Sequence, residues 1–342
     1  MTAHVSVFWL PNAEVKMMER PILIVGRSGQ LAKCLRELAA VRGQPVVALG
    51  RPELDLESRA GIGKLIASIA PSAIINAAAY TAVDQAESEM ARAFSVNRDG
   101  AAALADVAWQ KNIPLIHHST DYVFDGSKPD AYDESDIPAP LNAYGASKLA
   151  GEAAVLAAHP LATVIRCSWL YSPYGSNFVR TMLRLCETQQ TVRVVRDQHG
   201  NPTSAFDLAE AVLQIAERSA MGDRRATAGI FHLAGQGDTS WHDFAQAIFW
   251  ERSRRGARIP ELVAISTEEF PTAARRPRNS RLDSAKAERV FGIRLAPWRL
   301  ALKACLEQLG EGDAQGNCAG RWQRNAPLSD HPSGQQAVAP DL

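Results

Sequence analysis

Short, continuously apolar runs alternate along the chain with longer stretches whose apolar positions recur at helical spacing. In order they read ILIVG (22–26), LAKCLRELAAVRG (31–43), PVVAL (45–49), GIGKLIASIA (61–70), AIINAAA (73–79), AAALADVAWQKN (101–112) and PLIHHST (114–120). That rhythm predicts repeated β-α-β units, hence an α/β fold with a doubly wound parallel sheet and helices on both faces. The runs Ile22 to Val25 and Ile74 to Ile75 lack polar alternation, as strands covered on both faces require. Gly43 and Pro45 stand where the first helix must end and the second strand begin.

After Trp169 the alternation loosens, with a loop through Pro173, Tyr174 and Gly175 and helices expected around Val179 to Leu185 and Asp207 to Arg218. The expected division is an N-terminal extension (1–20), a dinucleotide-binding Rossmann-type domain (21–170, with about 203–235 returning to it), a smaller, discontinuous and mainly substrate-binding C-terminal α/β lobe (171–310) and a disordered tail (311–342). Met17 or Met18 serves equally well as a start, and no internal repeat is visible.

Composition narrows the function classes. With 46% apolar and 22% charged residues in 342, the chain has ordinary globular usage and room for a cleft between lobes. Lys plus Arg equals Asp plus Glu at 37 each, so no global field exists to hold nucleic acid or an anionic membrane, and an anionic ligand needs a local site. The five cysteines (Cys34, Cys167, Cys186, Cys305, Cys318) are odd in number, widely spaced and without a CxxC pair. Neither a disulfide framework nor a zinc site is indicated, and a reducing cytoplasmic setting fits. No apolar run reaches the roughly 18 residues of a membrane span, and Lys16 and Arg20 follow the apolar VSVFWL instead of preceding it as in a secretory signal.

The first strand runs through Gly26-Arg27-Ser28-Gly29-Gln30-Leu31-Ala32 directly into a helix. Glycines there let the backbone turn tightly, and the N–H groups at the helix start, with the positive end of its dipole, suit a pyrophosphate, as in Rossmann-type folds. A glycine pair alone also reads as a tight turn without a ligand; Ala32 stands where a helix-packing glycine is usual. After the second strand comes Gly50-Arg51 in place of the acidic residue that commonly binds a ribose 2′-hydroxyl. Arg51, with Arg27, suits a 2′-phosphate and so favours NADPH over NADH, although either could be a solvated loop arginine. Asp55 and Leu56 follow at a distance suited to an adenine pocket, and Ala77, Ala78 and Ala79 after Asn76 allow a cofactor to lie against backbone, or mark close packing only.

The fourth strand ends in Ser119-Thr120-Asp121-Tyr122, and 24 residues after Thr120 comes Tyr144-Gly145-Ala146-Ser147-Lys148. A spacing of four puts Tyr144 and Lys148 on one helix face. An ammonium beside a phenol stabilises the phenolate and is expected to lower the Tyr144 pKa toward the range of a working general acid. Thr120 can polarise the same carbonyl. An isolated YxxxK pair is mostly chance; the strand-ending Ser-Thr and the glycine turn give it weight.

With GRSGQL, NAAAYTAVDQAE, FSVN, STDYVFDG, YGASKLAGE, RCSWLY, NFVRTML, DQHGNPT and RRPRNSRLD, the sequence resembles the extended short-chain dehydrogenase/reductases, and within them the dTDP-4-dehydrorhamnose reductase family, over roughly Pro21 to Leu309. The resemblance implies NAD(P)H-dependent reduction of the C4 keto group of dTDP-4-dehydro-6-deoxy-L-mannose to dTDP-L-rhamnose. It makes Tyr144 the proton donor, Lys148 a ligand of the nicotinamide ribose, and Thr120 an assistant at the carbonyl. It puts Thr120, Asp121, Tyr122, Trp169, Asn177, Phe178, Asp197, Gln198, Arg276 and Asn279 on the nucleotide-sugar side. Trp169 could instead be a core tryptophan, and Arg275, Arg276 and Arg278 a solvated basic turn.

Some members of this family hold magnesium at a dimer interface through glutamates, one in the first helix. The position aligned with it here is Cys34, a poor ligand for a hard cation, so no such metal is expected and a homodimer is left open. His117-His118 is expected to be packed or hydrogen-bonded, since neighbouring strand residues face opposite ways. Two alternatives remain: a nucleotide-binding regulatory subunit, against which Tyr144, Lys148 and Thr120 argue, and a nucleotide-sugar epimerase or dehydratase, which usually has a fuller glycine turn.

Overall fold

The computed structural model describes residues 20–314. Most of the expected extension and tail therefore lies outside the described residues. Inside them, Arg20 donates to the carbonyl oxygens of Ala70 and Pro71, and the last helix continues to Ala314, beyond the expected start of the tail.

The described residues form a central sheet of six strands. In chain order they are β1 (Ile22–Val25), β2 (Val46–Leu49), β3 (Ala73–Asn76), β4 (Leu115–Thr120), β5 (Thr163–Cys167) and, after an excursion containing β6 (Thr191–Val195), β7 (Gly229–His232). The spatial order is β7-β5-β4-β3-β1-β2, all parallel. Strands β1, β3 and β4 are buried at every position, which accounts for their unbroken apolar character, whereas edge strand β2 is half-buried throughout.

Helices cover both faces, so the fold is the expected Rossmann-type α/β arrangement. On one face α1 (Gln30–Val41) packs against α6 (Ala205–Ala220) through Leu31, Ala32 and Leu35 of the first and Leu208, Ala209 and Val212 of the second. Burying each such Leu or Val contributes about 1.5–3 kcal/mol. Ala32 is 1% exposed, so a single methyl is tolerated at this contact. On the other face lie α2 (Ile62–Ile69), α3 (Ala101–Gln110) and α4 (Ala143–Ala158). A π-helical turn at Ser95–Gly100, which no periodicity announced, leads into α3.

The second lobe pairs β6 in parallel with β8 (Glu261–Ile265) and surrounds them with α5 (Phe178–Thr188), α7 (Trp241–Ser253) and α8 (Trp298–Ala314). Its core is aromatic, built on Tyr171, Phe178, Trp241, Phe244 and Trp298. Among the described residues no helix is long and apolar enough to cross a membrane.

The chain leaves β1 toward β2 on one side and returns to β3 on the other. Their carboxyl ends, Val25 and Asn76, are register partners at that reversal, where open α/β sheets form their ligand crevices.

Candidate active site

At this reversal Gly26 takes a φ of +113°, and a Cβ there would lie 3.1 Å from the Ala77 carbonyl carbon and 3.2 Å from the Ala78 nitrogen. Only glycine allows the turn to run this close to the 77–78 backbone. Gly29 sits at the N-cap of α1 with no side-chain cap, the first turn holds no acid, and a Cβ at Gly29 would meet nothing within 4 Å. Uncapped N–H groups opening on free space fit a pyrophosphate, whose charge the helix end favours. Ser28 and Gly29 are exposed, while the Leu31 side chain is in the core and leaves only its main chain to the turn.

The rest of the expected cofactor side is arranged around that turn. Ala77, Ala78 and Ala79 are half-buried, and Asn76 Oδ1 accepts from the Ala78 N–H at 3.2 Å. Asp55 Oδ1 accepts from the Glu57 N–H, and Leu56 is buried against Gly100. The Arg51 side chain is 65% exposed with Nη1 3.7 Å from Glu57, and Arg27 pairs with Glu53 at 2.8 Å in the open. Such surface pairs are weak and easily exchanged for a ligand phosphate. Gln30 faces the other lobe: its Oε1 accepts from Ser172 Oγ at 2.9 Å and Asn177 Nδ2 at 3.0 Å, and its Nε2 donates to the Ser176 carbonyl.

The chemistry-bearing side chains come from β4 and α4. Asn142 caps α4 by accepting from the Gly145 N–H at 2.7 Å, and its Nδ2 donates to the Arg275 carbonyl. Gly145 lets the helix press on the turn after β4, since a Cβ there would fall 2.1 Å from the Tyr122 carbonyl oxygen. The contact brings Tyr144 to the end of β4, where Thr120 is near enough to act on its hydroxyl. Tyr122 meets Tyr144 edge to face with centroids 6.0 Å apart. Lys148, one turn farther along, donates from Nζ to the His118 carbonyl at 2.5 Å.

All three groups are buried: Thr120 is 4%, Tyr144 8% and Lys148 2% exposed. Burial drives the Tyr144 pKa up, and the Thr120 hydroxyl offsets this only in part, while Cys167, Asp121 and Tyr122 push the same way as burial. The lowering expected from the Tyr144–Lys148 spacing is therefore corrected: a phenol sealed from water loses more by ionising than its neighbours return. Burial also pulls Lys148 down to about 8, against the charge of Glu152 and Cys167. Asp121 is 1% exposed, accepts from Thr120 Oγ1 and Ser168 Oγ at 3.0 Å each, and is pushed by burial up to about 6.

The residues expected on the sugar side are largely occupied with other residues of the chain. Trp169 is 3% exposed and stacks on Trp241 at 3.5 Å, and a Cβ on Gly200 would strike its ring. Trp169 is thus packed between Trp241 and the Gly200 backbone. Asn177 caps α5 and donates to Gln30 and to the Ser172 and Tyr174 carbonyls, and Phe178 is in the aromatic core. Gln198 and Asp197 both bind Thr267. Of the basic turn, Arg276 points inward, its Nη2 2.7 Å from Asp84, while Arg275 is exposed and Arg278 pairs with Glu268 at the surface. Asn279 donates to the Lys128 and Asp130 carbonyls.

His117 and His118 are buried, with His117 Nδ1 3.0 Å from Asn76 Nδ2. Cys34 is a core thiol with its pKa pushed by burial up to about 12. Among the described residues no group of three or more His, Cys, Asp or Glu is arranged to hold a metal ion.

Three comparisons bear on this arrangement. Residues 18–311 match the family described as RmlD substrate binding domain. The dTDP-4-dehydrorhamnose reductase of Sinorhizobium fredii (strain NBRC 101917 / NGR234) is 48% identical over 277 residues, 81% of this chain and 93% of the relative. That of Aggregatibacter actinomycetemcomitans is 44% identical over 285 residues, 82% of this chain and 97% of the relative. The crystal structure of the Bacillus anthracis str. Ames dTDP-4-dehydrorhamnose reductase in complex with NADP superposes with a TM-score of 0.78 at 36% identity, covering 85% of this chain and all of that one (100%).

Proposed function

The chain belongs to the RmlD substrate-binding-domain family, and from that premise we propose that it reduces the C4 keto group of dTDP-4-dehydro-6-deoxy-L-mannose with NADPH, giving dTDP-L-rhamnose. The observation that carries this reading is the meeting of Tyr144 and Thr120 at the carboxyl end of β4, with Lys148 one turn away.

The main-chain N–H groups from Ser28 to Leu31 hold the cofactor pyrophosphate at the start of α1, and Arg51 reaches the 2′-phosphate. Bound NADPH supplies hydride-donor chemistry at the carbonyl carbon. Tyr144 transfers its hydroxyl proton to the carbonyl oxygen, and Thr120 hydrogen-bonds to that oxygen as it gains charge. The raised pKa of Tyr144 keeps the proton on it until the oxygen has become basic enough to take it. Lys148 keeps a positive charge beside the site and binds the nicotinamide ribose. Arg276, fixed by Asp84, lies next to Tyr122 on the sugar side.

Retention of the hydroxyl pair and the amine argues against a purely regulatory nucleotide-binding subunit. The test is incubation with enzymatically generated dTDP-4-dehydro-6-deoxy-L-mannose, following loss of the reduced-nicotinamide absorbance with NADPH and with NADH. Formation of dTDP-L-rhamnose is expected; no oxidation with either cofactor would remove the activity.

A further inference from the structure

One stripe of α4 carries three polar residues spaced four apart, Tyr144, Lys148 and Glu152. The first two belong to the proposed reaction, whereas Glu152 faces the sheet, away from solvent, with a side chain 2% exposed. Its Oε1 accepts from Ser119 Oγ at 2.5 Å and Arg166 Nε at 2.8 Å, and its Oε2 accepts from Arg166 Nη2 at 2.6 Å. Arg166 is equally buried, lies over the Phe124 ring at 5.2 Å, and has Nη1 3.5 Å from His232 Nε2. Ser119 and Arg166 are register partners across β4 and β5, and the next pair is Thr120 with Cys167. The carboxylate on the helix thus clips together the two strands at the step just before Thr120.

A buried ion pair is a poor device for stability alone, because well-packed apolar residues often serve as well or better. Its place beside a buried amine points to another use. Glu152 raises the Lys148 pKa against the larger, opposing effect of burial, and Cys167 adds to it. The other titratable groups around Lys148 supply no negative charge to it. From β4, His117 and His118 are kept neutral by burial; from β5, Arg166 is a cation. On the π-helical turn packed against α4, Arg98 and Asp99 pair with each other at 2.5 Å. Asp121 acts on Tyr144.

Resting on the reductase reading, we propose that Glu152 is a positioning residue for the reduction: clamped by Arg166 and Ser119, it supplies the buried counter-charge of Lys148 and fixes α4 against the end of β4 that carries Thr120.

The experiment titrates Lys148 directly by NMR at Cε in protein carrying isotope-labelled lysine, with the signal assigned through its loss in Lys148→Met. Wild type is compared with Glu152→Gln, with the paired Glu152→Gln/Arg166→Gln variant, which leaves no stranded buried cation, and with the conservative Glu152→Asp. The expected result is a fall of about one pH unit or more in the Lys148 midpoint in Glu152→Gln, a smaller fall in the paired variant, where loss of the Arg166 cation offsets part of it, and a smaller one in Glu152→Asp. The alkaline limb of kcat/KM for the keto sugar moves by the same amount. A Lys148 midpoint that stays at its wild-type value in a folded Gln variant overturns the proposal, whatever happens to turnover. Wild-type protein that fails to oxidise NADPH with the keto sugar overturns the reductase reading instead, and the Lys148 titration still decides the electrostatic claim.

Discussion

The Nζ atom of Lys148 lies 2.5 Å from the carbonyl oxygen of His118, two residues before Thr120 on the same strand. The amine is held by the strand and not by the tyrosine one turn behind it, so its charge depends on surroundings that exclude water. Burial brings its folded pKa from the ordinary 10.5 to about 8. A pKa lowered in this way means the folded protein releases the Lys148 proton as pH rises through about 8, and activity that needs the ammonium falls there. An alkaline limb of kcat/KM with a midpoint near 8 is expected in a pH-rate profile; full activity at pH 10.5 would show that turnover does not need that charge.

Tyr144→Phe removes the transferable proton while keeping the ring that meets Tyr122. Turnover is expected to fall about a hundredfold to ten-thousandfold, with NADPH binding by fluorescence titration nearly unchanged. Turnover at the wild-type level would mean that another acid serves.

Arg51→Ala should weaken NADPH about tenfold and leave NADH nearly untouched, because only NADPH offers a 2′-phosphate to a guanidinium. Its side chain is 65% exposed, so no packing is lost to confuse the comparison. Equal weakening of both cofactors in binding titrations would remove Arg51 from cofactor discrimination.

Gly145→Ala tests the approach of α4 to the end of β4. An alanine inside a helix ordinarily stabilises relative to glycine by roughly 0.5–1 kcal/mol. Here the added methyl would lie 2.1 Å from the Tyr122 carbonyl oxygen, and a loss of about 2 kcal/mol or more is expected in urea unfolding, with turnover lowered as Tyr144 is displaced from Thr120. A stabilised variant would show that the helix and the turn have room to separate.

Acid should weaken the fold through its buried histidines, His118 and His232 among them. Burial brings His118 and His232 to about 3, against an ordinary 6.5. Both ring nitrogens of His118 are buried without a hydrogen-bond partner among the described residues, and His232 Nδ1 lies 3.1 Å from the Tyr132 carbonyl oxygen. Since these folded values are depressed, the stability is present above pH 6.5 and is lost as pH falls toward 3. Within that window each histidine contributes a slope of roughly 1.4 kcal/mol per pH unit. Urea unfolding across the window should show a shallower slope in His118→Leu; an unaltered slope would assign the acid sensitivity elsewhere.

What the sequence made legible was local. Strands buried on both faces must be continuously apolar, so β1 and β3 announced themselves, and the Gly26 turn followed from the strand that leads into it. The Tyr144–Lys148 spacing is a property of one helix and needs no knowledge of the fold. The contacts that constrain the site are remote in sequence: Glu152 with Arg166, Gln30 with Asn177, and Asp84 with Arg276 are separated by 14, 147 and 192 residues. Nothing in a one-dimensional pattern announces such closures. The sign of the Tyr144 shift was missed for a related reason, since spacing reports that two groups are neighbours but not how dry their surroundings are. Trp169 likewise sits in an aromatic stack whose other half, Trp241, is the first residue of α7, 72 residues on.

Gln30 is the first residue of the helix that presents its N–H groups to an anion, and its side chain grips the loop from which α5 departs. The start of α1 and the loop before α5 are thereby tied through one amide side chain, so a substitution of Gln30 disturbs both at once.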